Sequence, residues 1–105
     1  MYGILFRAEA HHGKRQALFE FLKWNGQVAR DHEPDALRFE VYADPVDDDA
    51  FIVYEAYRDA AGFEAHKIGA PYQLWSTGLR DELVSKVTIL LHGETAWSPE
   101  DRIPA

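Results

Sequence analysis

The chain is 105 residues long, with 47% hydrophobic and 13% aromatic residues, which is enough for one domain and too apolar for a disordered chain. Eighteen Asp and Glu against 11 Lys and Arg give a formal charge of -7, so a phosphate backbone is repelled on average and no nucleic-acid partner is expected. The absence of cysteine excludes disulfides, thiolate nucleophiles and sulfur-ligated zinc, and no stretch approaches the roughly 20 apolar residues of a membrane helix; a cytoplasmic protein with no membrane partner is expected.

From Tyr2 to Ala10 the set Tyr2, Ile4, Phe6 and Ala8 alternates with Gly3, Leu5, Arg7 and Glu9, the period of a strand. Beyond Gly13, Leu18, Phe21, Leu22, Val28 and Ala29 recur at helical spacing, which predicts an amphipathic helix from Lys14 to about Asp31, broken by Pro34. Ala36 to Ala43 and Phe51 to Tyr57 read as two strands of a hairpin whose tip, Asp44 to Asp49, is expected to be solvated. Asp59 is placed to cap a short helix through Phe63 and His66, with Gly69 as its end. Pro71 then opens a helical pattern of Tyr72, Trp75, Leu79 and Leu83, weakened at Gly78. In Val84 to His92 the residues Val87, Ile89 and Leu91 alternate against Lys86, Thr88 and Leu90, a fourth strand. Residues 1–93 thus form the expected domain, and residues 94–105 a tail that is either mobile or packed on a partner.

The order strand, helix, strand, strand, broken helix, strand is that of a ferredoxin-like α+β fold, β-α-β-β-α-β, with an antiparallel sheet. The third strand offers Phe51, Val53 and Tyr57 on one side and Ile52, Tyr54 and Ala56 on the other, so both sheet faces need cover. Helices of one chain shield only one face, which leads to the expectation of a homodimer packed through the second.

Four ordered segments, Glu33-Pro34-Asp35-Ala36-Leu37-Arg38-Phe39-Glu40-Val41-Tyr42, Asp44-Pro45, Tyr54-Glu55-Ala56-Tyr57-Arg58-Asp59 and Phe63-Glu64-Ala65-His66-Lys67, together resemble the antibiotic biosynthesis monooxygenase domain family, over roughly Tyr2 to Leu91. The resemblance implies a dimeric α+β barrel and, among the activities of the family, the oxidation of a quinol-like or phenol-like aromatic by dioxygen with no cofactor. It also admits an isomerase or breakdown enzyme for a small polar carbonyl compound, and a non-catalytic ligand-binding dimer. Similar proteins often follow the His-Lys segment with a Pro-His-aromatic run, where this chain has Ala70-Pro71-Tyr72; His66 is left with Tyr72 as its polar companion. Phe6 stands where the haem-degrading branch has an asparagine, which argues against haem.

Oxygenation without a cofactor needs a base, because a phenolate passes an electron to dioxygen far more readily than a phenol does, and it needs a dry pocket for the ring. His66 is the candidate base, since an imidazole accepts a proton near neutral pH; the alternative is a surface histidine. Glu55 shares its strand face with Phe51, Val53 and Tyr57 and either orients His66, binds a substrate hydroxyl, or forms a salt bridge with Arg7, Arg38 or Arg58. Tyr72 is the candidate donor to a developing oxyanion, and Phe6, Val53, Tyr57, Phe63 and Trp75 are the candidate wall for an aromatic substrate, or else core. His11, His12, His32 and His92 carry no metal-binding or catalytic pattern, and neither a metal nor a nucleotide is expected. A phosphorylated substrate would need a basic cluster, with Arg7, Arg38 and Lys67 as its suppliers.

Overall fold

A computed structural model describes residues 1–99. The elements are β1 (Tyr2–Ala10), α1 (Arg15–His32), β2 (Ala36–Ala43), β3 (Ala50–Tyr57), α2 (Ala60–Ile68), α3 (Ala70–Leu74), α4 (Arg80–Leu83) and β4 (Val84–Glu94), with a wide π-type turn over Trp75–Leu79 between α3 and α4. The four strands form one antiparallel sheet in the order β2-β3-β1-β4. This is the ferredoxin-like α+β architecture expected from the chain order.

Period-two alternation decides which side chains meet the helices. On β1 the inward set is Ile4, Phe6, Ala8 and Ala10; on β3 it is Phe51, Val53, Glu55 and Tyr57, opposite β1 in register as Phe6↔Val53 and Ile4↔Glu55. The stripe of α1 places Leu18, Phe21 and Leu22 against Ala8, Phe51, Val53, Leu83 and Val84. Leu18 and Val53 are fully buried, and each such side chain stabilises the fold by roughly 1.5 to 3 kcal/mol before entropy is counted.

Two irregularities change the sequence pattern. Strict alternation in β4 would put Val87, Ile89 and Leu91 on one face. Instead Phe6 pairs with Ile89 and Leu5 with Leu91, so Leu90 is an extra residue, a β-bulge. Val87 and Ile89 keep the helix side, Leu91 turns to the other face beside Leu5, and His92, paired with Ile4, turns inward. The strand also runs past His92 to Glu94, and the Thr95 amide donates to the Met1 carbonyl at 2.8 Å. Residues 100–105 of the expected tail lie outside the described residues.

The second irregularity is the broken helix. Asp59 caps α2 as expected, its carboxylate accepting from the Gly62 amide at 2.9 Å. Gly69 is extended, with φ -68° and ψ 156°, and Pro71 restarts the chain as α3. Gly78 does more than weaken the next turn: at φ 151° it takes a backbone conformation that side chains rarely tolerate, and it separates Trp75 from Arg80 by a kink.

The hairpin tip is tied down and not merely solvated. Arg7 forms ion pairs with Asp44 at 2.8 Å and Asp47 at 3.3 Å, and Asp44 also accepts from the amides of Val46 and Asp47. The Arg7 guanidinium, followed by those amides, holds the Asp44 carboxyl down at about 2.

Candidate active site

The site lies between the helices and the end of the sheet where Tyr2, Ile4 and Tyr57 meet. Gly62 permits the close approach of α2: a Cβ there would stand 2.9 Å from the Asp35 Cβ and 3.3 Å from the Tyr57 Cβ. One turn further on, the same face of α2 delivers His66 into the interior, where it is 2% exposed.

His66 bridges two carboxylates. Its Nδ1 lies 2.6 Å from Oε1 of Glu33, the residue that ends α1, and its Nε2 lies 3.6 Å from Oε1 of Glu55 on β3. A ring nitrogen 2.6 Å from a carboxylate oxygen donates to it, so Nδ1 carries a proton and Nε2 is aimed at Glu55. The 3.6 Å gap is too long for a hydrogen bond, whereas the Tyr57 hydroxyl donates to the same Glu55 oxygen at 2.5 Å. The order in space is therefore Glu33, His66, Glu55, Tyr57.

Glu55 is 5% exposed, and burial pushes its carboxyl above the ordinary value. The Tyr57 hydrogen bond and the attraction of His66 oppose that rise, and the charge of Glu33 adds to it. Burial, with the adjacent Glu55 charge, also pushes the Tyr57 phenol well above its usual range, so Tyr57 stays a donor. The salt bridges considered for Glu55 do not form: Arg7 pairs with Glu9, Asp44 and Asp47, Arg38 with Glu40, and Arg58 with Asp35.

A cavity of about 490 Å³ opens over Glu55, a size suited to one small molecule. Its wall is mostly apolar, formed by Ile4, Phe6, Phe63, Trp75, Val87 and Ile89, while Tyr72, Ser76, Lys67, Arg80 and His92 add polar atoms. Phe63 is the aromatic hub, stacked on Tyr2 at 5.6 Å and edge-on to Tyr72 at 6.4 Å and to His92 at 5.8 Å. Trp75 stacks on Phe21 of α1 at 5.2 Å, so its indole is held as a rigid wall. A larger groove, about 590 Å³, runs between α1 and β2, but none of its lining residues is a buried titratable group.

The structure thus brings Glu55, Tyr72, Phe6, Phe63 and Trp75 together on one cavity. It does not bring His66, Tyr57 and Val53 there. Val53 lies in the apolar core beneath α1, packed in one cluster with Leu18, Leu22 and Phe51. His66 and Tyr57 stand behind Glu55 and touch its carboxylate or face it. Conversely, His92, which the alternation of β4 left unremarked, lines the cavity and shares a hydrogen bond of 2.7 Å with the Tyr2 hydroxyl. The Leu90 bulge put it there, and no pattern in the sequence marks that bulge. Glu33 falls within one of the family-like motifs, but its approach to His66 across 33 positions has no local signal in the sequence. Among the described residues, no group of three His, Asp or Glu side chains is arranged to hold a metal ion.

No match is found among curated proteins. Among solved structures the chain is similar to a Pseudomonas aeruginosa protein, with 24% identity over 90% of this chain and 94% of that one and a TM-score of 0.76. It is also similar to a Nitrosomonas europaea protein assigned to the antibiotic biosynthesis monooxygenases, with 25% identity over 90% of each chain and a TM-score of 0.77. A Bacteroides thetaiotaomicron protein with the same assignment covers 98% of this chain and 95% of its own length at 18% identity, with a TM-score of 0.80. The antibiotic biosynthesis monooxygenase family model matches residues 1–77, which holds β1 through α3, Glu33, Glu55 and His66 included, so the chain belongs to that family.

Proposed function

We propose that the protein is a cofactor-independent monooxygenase for a phenol-like or quinol-like aromatic, with Glu55 as the group that takes the substrate proton. The observation that carries this reading is the position of Glu55, a carboxylate with raised proton affinity on the floor of an apolar, aromatic-walled cavity. His66 and Glu33 act behind it. With Nδ1 committed to Glu33, the Nε2 of His66 faces Glu55 and either receives the proton from it or, already protonated, stabilises its charge.

The chemistry balances without a further reductant. Loss of the hydroxyl proton to Glu55 leaves a phenolate, which passes one electron to dioxygen; the two radicals combine at a ring carbon, and the O–O bond then breaks. For a hydroquinone the sum is one quinol plus one dioxygen giving one hydroxyquinone and one water. The dry wall of Phe6, Phe63, Trp75, Val87 and Ile89 strengthens the electrostatics felt by the phenolate and orients the ring, while Tyr72 is placed to donate to its oxygen. That wall favours a planar ring over a small polar carbonyl compound. Oxygen-electrode assays of chelator-treated protein over a panel of hydroquinones and phenols test the reading. Uptake that vanishes in Glu55→Gln is expected; no uptake with any member contradicts it.

The working form we infer is a homodimer. Among the described residues the helices pack on one face of the sheet, and the other carries Leu5, Ile52, Tyr54 and Leu91, with Tyr42 51% and Leu91 49% exposed. Joining two such faces removes several large side chains from water and closes a barrel-like core. Sedimentation equilibrium at micromolar concentration is expected to give twice the chain mass of 12.0 kDa; a stable single chain contradicts the dimer.

A further inference from the structure

Among its apolar side chains the cavity lining holds one carboxylate, Glu55, which is buried, two cations, Lys67 from α2 and Arg80 from the start of α4, and His92 of β4. Lys67 Nζ sits 4.6 Å above the centroid of Phe63, itself a wall residue, which holds the ammonium over a ring of the cavity lining. Arg80 follows the Gly78 kink, which turns the chain so that Trp75, Ser76 and Arg80 all line the cavity. Arg7 and Arg38 engage Asp44, Asp47 and Glu40 instead and take no part.

Both cations have carboxylate neighbours, but exposed ones. Lys67 meets Glu64 at 3.1 Å and Arg80 meets Asp81 at 3.4 Å, where Glu64 and Asp81 are 68% and 87% exposed. Such solvated pairs are weak and are readily exchanged for a ligand anion. Within the lining itself the two cations outnumber the single carboxylate, Glu55, although the whole chain carries a charge of -7.

We propose that the substrate carries a carboxylate as well as its reacting hydroxyl, and that Lys67 and Arg80 seat the carboxylate while the hydroxyl meets Glu55. The inference rests on the reading of Glu55 as proton acceptor and adds the substrate class to it: a hydroxylated aromatic acid. The cations then serve a second purpose, offsetting the charge that the ring gains when its hydroxyl proton leaves. Lys67 lies within residues 1–77, the part matched by the family model, and Arg80 lies beyond it.

The test uses three ring compounds of similar size that need not turn over: 3-(4-hydroxyphenyl)propionate, 4-ethylphenol and tyramine, which are anionic, neutral and cationic at pH 7. Their binding to the full chain is followed by calorimetry and by quenching of tryptophan fluorescence. The wild type is expected to bind the propionate about tenfold more tightly than 4-ethylphenol and tyramine most weakly. The preference is expected to shrink in high salt and to vanish in Lys67→Gln/Arg80→Gln, a variant that still folds cooperatively on heating and still binds 4-ethylphenol. Equal binding of propionate and ethylphenol, binding of neither, or a preference that survives the double substitution overturns the proposal. Oxygen uptake separates the two readings: a retained preference without uptake on any hydroquinone removes the oxygenase and keeps the carboxylate seat, whereas uptake without preference does the reverse.

Discussion

The inward face of β3 contains two different interiors four residues apart. At one end Phe51 and Val53 pack with Leu18, Leu22 and Ala8 into an apolar core. At the other end Glu55 and Tyr57 meet Glu33, His66 and Phe63, so the same strand face buries a carboxylate and an imidazole. The first arrangement stabilises the fold through area removed from water, and any comparable apolar set would serve. The second is costly to bury and is held in place by specific neighbours: the Tyr57 hydroxyl, the Glu33 carboxylate and the close approach of α2 at Gly62. Stability and chemistry are therefore separable along one strand, and substitutions at its two ends should report on different properties.

The largest effect expected from breaking this division is at the polar end. Glu55→Gln keeps shape and an acceptor for Tyr57 but removes the proton acceptor, and turnover is expected to fall about 10²–10⁴-fold while unfolding free energy changes by less than about 1 kcal/mol. Stopped oxygen uptake with an unchanged urea midpoint checks it. Phe51→Ala is the converse, with a loss of about 3 to 5 kcal/mol of stability in urea unfolding and unchanged turnover per folded molecule. Glu33→Gln sharpens the comparison, because it leaves the cavity wall intact while it loosens the orientation of His66 and removes a charge that helps to raise Glu55. A fall of about tenfold in turnover with KM unchanged is expected from steady-state kinetics.

The apolar interior was legible in the sequence because it is made of local periodicities: the alternation of β1 and β3, the stripe of α1, the Asp59 cap and the Gly69-Pro71 break all matched. The family motifs also pointed to Glu55 and His66. Their order in space was not legible. Which of the two faces the cavity depends on how closely α2 packs over β2 and β3, a matter of the Gly62 contact with Asp35 and Tyr57 and not of spacing. His92 was hidden by the extra residue Leu90, which inverts the facing of all that follows it in β4. Arg80 was hidden by the Gly78 kink, since a continuous helix through Trp75 and Leu83 would present it on a different side.

The smallest effect belongs to the far hairpin. Asp44, held down at about 2 in the folded chain against an ordinary 3.8, contributes stability that is present above 3.8 and is lost as pH falls toward 2. Urea midpoints between pH 5 and pH 2 are expected to fall more steeply for the wild type than for Asp44→Asn, with no change in turnover at neutral pH.

Glu55 should behave with the opposite sign. Its folded value is raised above the ordinary 4.5, so its contribution to stability declines as pH climbs through 4.5 and up to the folded value, while its capacity to accept a proton appears only above that value. The direct measurement is carbon-13 NMR of the protein labelled at the glutamate carboxyls, with the Glu55 resonance identified by its absence in Glu55→Gln. A titration midpoint above 4.5, coincident with the acid limb of oxygen uptake, is the predicted result. A midpoint at or below 4.5, or an acid limb that persists unchanged in Glu55→Gln, would contradict Glu55 as the cavity's proton acceptor.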